Sequence, residues 1–229
     1  MNVLTQIRFF WKPLVFMLCL VPAVLVVTDA FEITGGLGAN PVEAIQDRFG
    51  IWGLRFIVVT LTVTPLRQFT GWNWLLRFRR MLGLFTFFYV LMHFLTWLIL
   101  DQGLQMSAIA EDIVKRPFIT IGFTALLLLI AMAATSTNGM RRRMGKRWQQ
   151  LHYSAYLVGI LGVWHFWWQV KLDTSEPAFY AAILTALLGY RLHRHLQRKR
   201  KPAGKVQPAR SDVRKGVRQN VAAAVPEYD

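Results

Sequence analysis

The sequence predicts an all-α membrane protein, a bundle of six transmembrane helices with both termini in the cytoplasm. Of its 229 residues, 54% are hydrophobic, with 9 Trp and 16 Phe, and the mean hydropathy is +0.34. That composition is typical of a polytopic membrane protein. A transmembrane helix needs about 20 mainly apolar residues, and the stretches with this character are roughly 10–28, 51–66, 81–100, 117–135, 149–170 and 177–193.

The distribution of basic residues predicts the orientation of these helices. The formal net charge is +15, and 22 of the 27 Lys and Arg lie at the N-terminus, in the loops 67–80 and 136–148, or after Tyr190. By the positive-inside rule, the termini and these loops are therefore cytoplasmic. The basic excess indicates orientation and contact with anionic membrane lipid, and it argues against a nucleic-acid partner.

The first two spans border an acidic outer loop. Arg8 and Lys12 precede the first apolar run as they do in a signal peptide, but no small-residue cleavage site follows, so we expect the segment to be retained. We expect the second span to stop at Pro65, because proline lacks an amide donor and disfavours helix in the residue before it.

The later spans differ in what they carry. The third contains His93 in its outer half, and the fourth carries no charge and is expected to serve packing alone. The fifth contains His152 near the cytoplasmic face and His165 near the outer face. The sixth returns to the cytoplasm.

The chain divides into two predicted parts. Residues 1–195 form the six-span domain. Residues 196–229 are polar and basic and have no apolar periodicity, so they are predicted to form a disordered cytoplasmic tail.

The histidines inside the spans are the candidate functional residues. Ionisable side chains in a bilayer tend to mark function, and imidazole is a common axial ligand of haem iron. His93 and His165 lie in the outer halves of two helices that run in the same direction, so they can face one another across a haem. His152 lies 13 residues before His165, roughly 20 Å along a helix, and belongs to a separate inner centre or to interhelical hydrogen bonding.

Other classes of site fit the sequence less well. Cys19 is the single cysteine, and all 12 carboxylates fall outside the predicted spans, which disfavours a zinc site. Proton-coupled transporters generally keep an intramembrane Asp or Glu. A transporter whose histidines line a pore remains the rival interpretation from another class.

Two interpretations are open for the single arginine inside a span and for a cluster of arginines in an inner loop. Arg55, in the second span, either extends to the outer headgroups or pairs with a haem propionate near the outer face. Arg77, Arg79 and Arg80 lie in a Trp-rich inner loop. They either bind lipid headgroups or form a site for an anionic cofactor such as a flavin phosphate, or for an acidic donor protein.

Three runs of the sequence resemble the MsrQ (YedZ) family, which belongs to the superfamily of ferric reductases and NADPH oxidases. The resemblance covers about residues 8–195 and is carried by TVTPLR, RRMLGLFTFFYVLMHF and TIGFTALLLLIAMAATSTNGMRRRMGKRWQQLHYSAYLVGILGVWHF. Within it, His93 matches the family's third-span histidine, and His152 and His165 match its fifth-span pair.

The resemblance implies a multi-pass b-type cytochrome of the bacterial inner membrane. Such a protein passes electrons from the quinone pool, or from a cytosolic flavin reductase, to a periplasmic molybdopterin-containing methionine sulfoxide reductase subunit. That subunit repairs oxidised envelope proteins. The family is also described as binding FMN in addition to haem b.

The sequence departs from its oxidase relatives in two ways. Those relatives carry two histidines on each ligand helix. Here the inner position of the third span falls near Arg79 and Arg80, where no histidine is present. One or two haems are therefore expected. They also carry a flavin and nicotinamide domain, but no G-x-G-x-x-G run follows the last span here. We therefore expect a separate electron donor and no catalytic residues in this chain. A quinol-oxidising cytochrome b for another periplasmic partner is the alternative.

Overall fold

The computed structural model describes residues 3–170 and 173–200, and every regular element in these ranges is helical. A short turn of 3-10 helix, Asn73–Arg77, joins the second and third main helices. The predicted tail lies outside the described residues from residue 201 onward. The main helices are α1 (Ile7–Ala30), α2 (Pro41–Thr70), α3 (Arg79–Asp101), α4 (Met106–Lys115), α5 (Pro117–Ala134), α6 (Asn138–Met144), α7 (Lys146–Gln169) and α8 (Ser175–Arg200).

Four of these helices are long and apolar enough to cross a membrane. They are α1, α2, α3 and α5. The prediction of an all-α membrane protein is thereby confirmed. The helices α7 and α8 have 24 and 26 residues, which is long enough to span the roughly 30 Å hydrocarbon core. Their polar residues leave them less apolar than the other four.

Local sequence signals set the ends of α2. Asn40 precedes the helix and its side chain accepts a hydrogen bond from the Glu43 amide, which is otherwise without a partner in the first turn. Pro41 occupies the first helical position, where no amide donor is needed. Gly71 ends the helix with a φ of 73°, a left-handed conformation that favours glycine.

The predicted end of α2 at Pro65 is wrong, because the helix continues to Thr70. Proline lacks the amide that would bond to the carbonyl four residues earlier, here that of Leu61. Arg191 of α8 supplies the missing donor, since its Nη2 donates to the Leu61 carbonyl. A neighbouring helix thus satisfies the backbone group that proline leaves free, as membrane proteins require.

A buried tyrosine links α1 to α3. Tyr89 is 0% exposed, and its hydroxyl donates to the Cys19 carbonyl at 2.7 Å and accepts from the Ala23 amide at 3.1 Å. These two backbone groups would pair with each other in an uninterrupted helix. Beside them lies Pro22, inside α1. The hydroxyl therefore bridges the helix where proline disturbs it, and the Phe56 ring of α2 stacks on the Tyr89 ring at 5.0 Å.

Two helix pairs position the candidate histidines. Helix α3 packs along α2, and α7 packs along α5. The first pair shares an apolar core with α1, and the second shares one with α2 and α8 that includes Leu61, Leu129, Val158 and Leu184. The two pairs also pack against each other, because α3 contacts α5 and α2 contacts α7. This packing brings one histidine of each pair close to the other.

Candidate functional site

The structure brings His93 and His165 together. His93 lies in α3 and His165 in α7, and both side chains are half-buried. Their ring centroids are 6.0 Å apart and the ring planes are nearly perpendicular, at 84°. This separation is too long for a hydrogen bond between the rings. The two imidazoles therefore lie beside one another without a hydrogen bond between them.

Both imidazoles are held by a backbone carbonyl on the partner helix of their own pair. His93 Nδ1 lies 2.8 Å from the Gln46 carbonyl oxygen of α2, and His165 Nδ1 lies 2.7 Å from the Phe118 carbonyl oxygen of α5. A carbonyl only accepts, so each Nδ1 carries the proton and donates it. Nε2 is then the nitrogen with a free lone pair. Within the described residues, neither Nε2 makes a hydrogen bond.

The two imidazoles would be able to hold one haem iron between them. Two bonds of roughly 2 Å from imidazole to a metal would be compatible with ring centroids 6.0 Å apart. A bond from Nδ1 to a carbonyl is the usual way in which a ligating histidine is oriented. The macrocycle supplies the other four ligands, so two imidazoles suffice.

The described residues hold no cluster suited to another metal. No group of three or more His, Cys, Asp or Glu is close enough to bind an ion in this part of the chain. The free Cys19 is buried in α1 and hydrogen-bonds through its backbone to Tyr89. Two histidines without further protein ligands can hold a haem iron, but they are too few for a zinc site, which needs three or four protein ligands.

His152 lies in a different environment from the pair. Its Nδ1 bonds to the Trp148 carbonyl one turn earlier in α7, at 3.0 Å, and its ring stacks on the Trp148 indole at 3.8 Å. The indole in turn donates to the Thr135 carbonyl at the end of α5. His152 is thus fixed by contacts within its own helix, with Nε2 free of hydrogen bonds within the described residues.

The candidate arginines take separate positions. Arg55 is half-buried in α2, where its Nε donates to the Tyr180 hydroxyl at 3.1 Å and its guanidinium lies 4.7 Å from the Trp52 ring centroid. Arg79 begins α3 and is half-buried, whereas Arg77 and Arg80 are exposed. No ion pair forms at these four arginines within the described residues.

Sequence reasoning missed the groups that support the histidines. The acceptors Gln46 and Phe118 act through their backbone, so no side-chain pattern reveals them.

The role of Arg191 is also not visible in the sequence, where it is one of the basic residues near the cytoplasm. Its guanidinium also donates to the Tyr156 hydroxyl at 2.5 Å and stacks on that ring at 4.9 Å. The proline in TVTPLR was the available signal, because it leaves a carbonyl that some donor has to satisfy.

Comparison with known proteins identifies the class of protein. Residues 49–163 match the family described as ferric reductase like transmembrane component. The match begins in α2, ends in α7 and includes His93 and His152. The apolar helices and the paired histidines thus belong to a ferric-reductase-like transmembrane protein.

The most similar relatives narrow this class to one family. Ralstonia nicotianae has a protein-methionine-sulfoxide reductase heme-binding subunit, MsrQ, that is 52% identical over 182 residues, which are 78% of this chain and 82% of the relative. MsrQ of Xanthomonas campestris is 53% identical over 73% of this chain and 77% of its own length. MsrQ of Xanthomonas oryzae is 45% identical over 89% and 95%. The chain belongs to the MsrQ family.

Proposed function

We propose that this protein is a b-type cytochrome that carries electrons across the membrane to a methionine sulfoxide reductase. The observation that supports this most directly is the pair of imidazoles, His93 and His165, with centroids 6.0 Å apart and each Nδ1 engaged by a carbonyl. Its MsrQ relatives are named as haem-binding subunits of such a reductase. Haem, when bound, supplies one-electron chemistry at its iron.

The residues of the chain hold and insulate the redox centre. His93 and His165 would hold the haem iron through Nε2, and the Gln46 and Phe118 carbonyls keep the imidazole protons on Nδ1. The aromatic and aliphatic side chains of α2, α3, α5 and α7 exclude water. Burial and axial ligation are the means by which a protein sets a haem potential.

An inner centre would complete a path across the bilayer. His152 lies roughly 20 Å from His165 along α7 and retains a free Nε2, so it is our candidate ligand or neighbour of a second haem b. Arg79 and Arg80 begin α3, and Arg77 ends the 3-10 turn just before it. These three arginines would give a positive surface for FMN or for a donor protein. Arg55 is our candidate partner for a propionate of the outer haem.

We propose that six helices span the bacterial inner membrane, with both termini in the cytoplasm. The helices α7 and α8 join the four apolar ones, because α7 carries two histidines whose polarity a cofactor would explain. Basic residues cluster in the loops that this topology places inside. Electrons then enter from the quinone pool or from a cytosolic flavin reductase and leave on the periplasmic side.

The partner would be the periplasmic molybdopterin-containing catalytic subunit. We place no substrate-level catalysis in this chain, since its candidate site consists of haem ligands. A quinol-oxidising cytochrome b for another periplasmic partner is the second candidate function. It shares the same histidine pair and differs only in the protein that takes the electrons.

Reoxidation of the reduced protein separates these candidates. The purified protein is reduced anaerobically, and its haem absorbance is followed after addition of the reductase catalytic subunit and methionine sulfoxide. We expect rapid reoxidation that needs both additions. Omission of methionine sulfoxide is the control. A haem that stays reduced in the complete mixture would contradict the proposed partner, while leaving a cytochrome b for another partner.

A further inference from the structure

Two glycines lie directly against the two facing imidazoles. A Cβ atom placed on Gly50 would lie 2.9 Å from His93 Nδ1 and 3.2 Å from its Cε1. A Cβ atom on Gly122 would lie 2.9 Å from His165 Nδ1 and 3.0 Å from its Cε1. Packed non-hydrogen atoms prefer separations of about 3.5–4.0 Å. Any side chain at either glycine would therefore displace the ring beside it.

Because each glycine has no side chain, it also leaves accessible the carbonyl that holds the ring. Gly50 lies one helical turn after Gln46 in α2, and Gly122 lies one turn after Phe118 in α5. A side chain in a helix leans towards the N-terminus and covers the turn before it. Glycine leaves that turn open, so an imidazole from another helix can reach the carbonyl oxygen.

The two arrangements repeat along the chain. The acceptor and the histidine are 47 residues apart in both. The second acceptor, glycine and histidine each follow their counterparts by 72 residues, from 46 to 118, from 50 to 122 and from 93 to 165. The helix pairs α2–α3 and α5–α7 thus hold their histidines in the same way.

We propose that Gly50 and Gly122 are positioning residues for haem ligation. Each glycine and the carbonyl one turn before it form a cradle that fixes the tautomer and the plane of one imidazole. The two cradles together hold the imidazole planes at 84°. The proposal rests on the proposed function in one respect, namely that His93 and His165 ligate haem.

The angle between the imidazole planes gives the cradles a spectroscopic signature. In ferric haem with two imidazole ligands, parallel planes give a rhombic low-spin EPR signal, whereas perpendicular planes give a highly anisotropic one. A side chain that pushes one ring out of its cradle changes this angle or breaks the iron–nitrogen bond. Loss of a group that orients a metal ligand typically weakens metal binding roughly 10- to 100-fold.

The test replaces each glycine by alanine in the full-length protein. We expect Gly50→Ala and Gly122→Ala to shift or abolish the low-spin EPR signal and to weaken haem retention about 10-fold or more. Gly53→Ala is the matched control, because a Cβ there would lie 2.7 Å from the Val90 side chain and meets neither imidazole. It should lower thermal stability and keep the wild-type EPR signal.

A second control and the wild-type spectrum keep the proposal testable if the cradle variants fail to accumulate. Gly83→Ala places its Cβ at an ordinary 3.9 Å from Thr60 and should leave both haem and EPR unchanged. The wild-type protein should itself show the highly anisotropic signal, and a rhombic one would overturn the proposal. Wild-type EPR spectra in both cradle variants, in a protein whose His93→Ala and His165→Ala variants lose the low-spin signal, would overturn the cradles alone. A low-spin signal that persists in both histidine variants would overturn the ligand assignment and the cradles with it.

Discussion

At the residue scale, a hydrogen bond at Nδ1 fixes the tautomer and the orientation of a histidine ring. The Nδ1 atoms of His93 and His165 donate to carbonyls of neighbouring helices, whereas Nδ1 of His152 bonds to its own helix. The proximity of His93 and His165 could be predicted from sequence, because it follows from counting along two helices. The carbonyl acceptors could not, since they depend on which helices lie side by side.

His152 provides a prediction at this scale. We expect His152→Ala to leave the low-spin signal of the His93–His165 centre unchanged, because His152 takes no part in that centre. Any haem lost on this substitution belongs to an inner site. The measurement is haem content by pyridine haemochrome together with EPR. A His152→Ala protein without the low-spin signal would contradict the separation of the two centres.

At the scale of the helix, Pro65 and Arg191 form a pair that neither sequence position reveals alone. Proline is expected to end a helix, yet α2 continues because Arg191 donates to the free carbonyl of Leu61. Leu61 is 0% exposed, so water cannot replace this donor. The expectation that proline ends the helix failed here because Arg191 donates to the carbonyl that Pro65 leaves without a partner. Arg191 lies 130 residues after Leu61, so no local sequence rule includes it.

A double-mutant cycle tests this pairing. Arg191→Met should destabilise the protein by roughly 1 to 2 kcal/mol, the value of a buried hydrogen bond from a charged donor. Its cost should be smaller in a Pro65→Ala background, because alanine restores the amide that bonds to the Leu61 carbonyl. Thermal unfolding in detergent measures both. Arg194→Met, on an exposed side chain of α8, is the control, and equal costs of Arg191→Met in both backgrounds would refute the pairing.

At the scale of the whole molecule, the helical membrane character could be predicted with little more than composition and hydropathy. The helices α1, α2, α3 and α5 stand out because each contains a long, strongly apolar stretch. The helices α7 and α8 do not, since functional and basic side chains lower their hydropathy. The repeat of the two helix pairs could not be predicted from sequence. Only three positions in each pair define it, namely the carbonyl acceptor, the glycine and the histidine.

The measurement that tests the central claim most directly is a reduced-minus-oxidised visible spectrum of the purified protein and its histidine variants. The wild-type protein should give a b-type spectrum, and His93→Ala and His165→Ala should each remove the low-spin haem signal. His193→Ala should leave that signal unchanged, because His193 is exposed on α8 and bonds to Gln197. A colourless protein despite ample haem supply, or an intact haem signal in the His93→Ala His165→Ala double variant, would contradict the account.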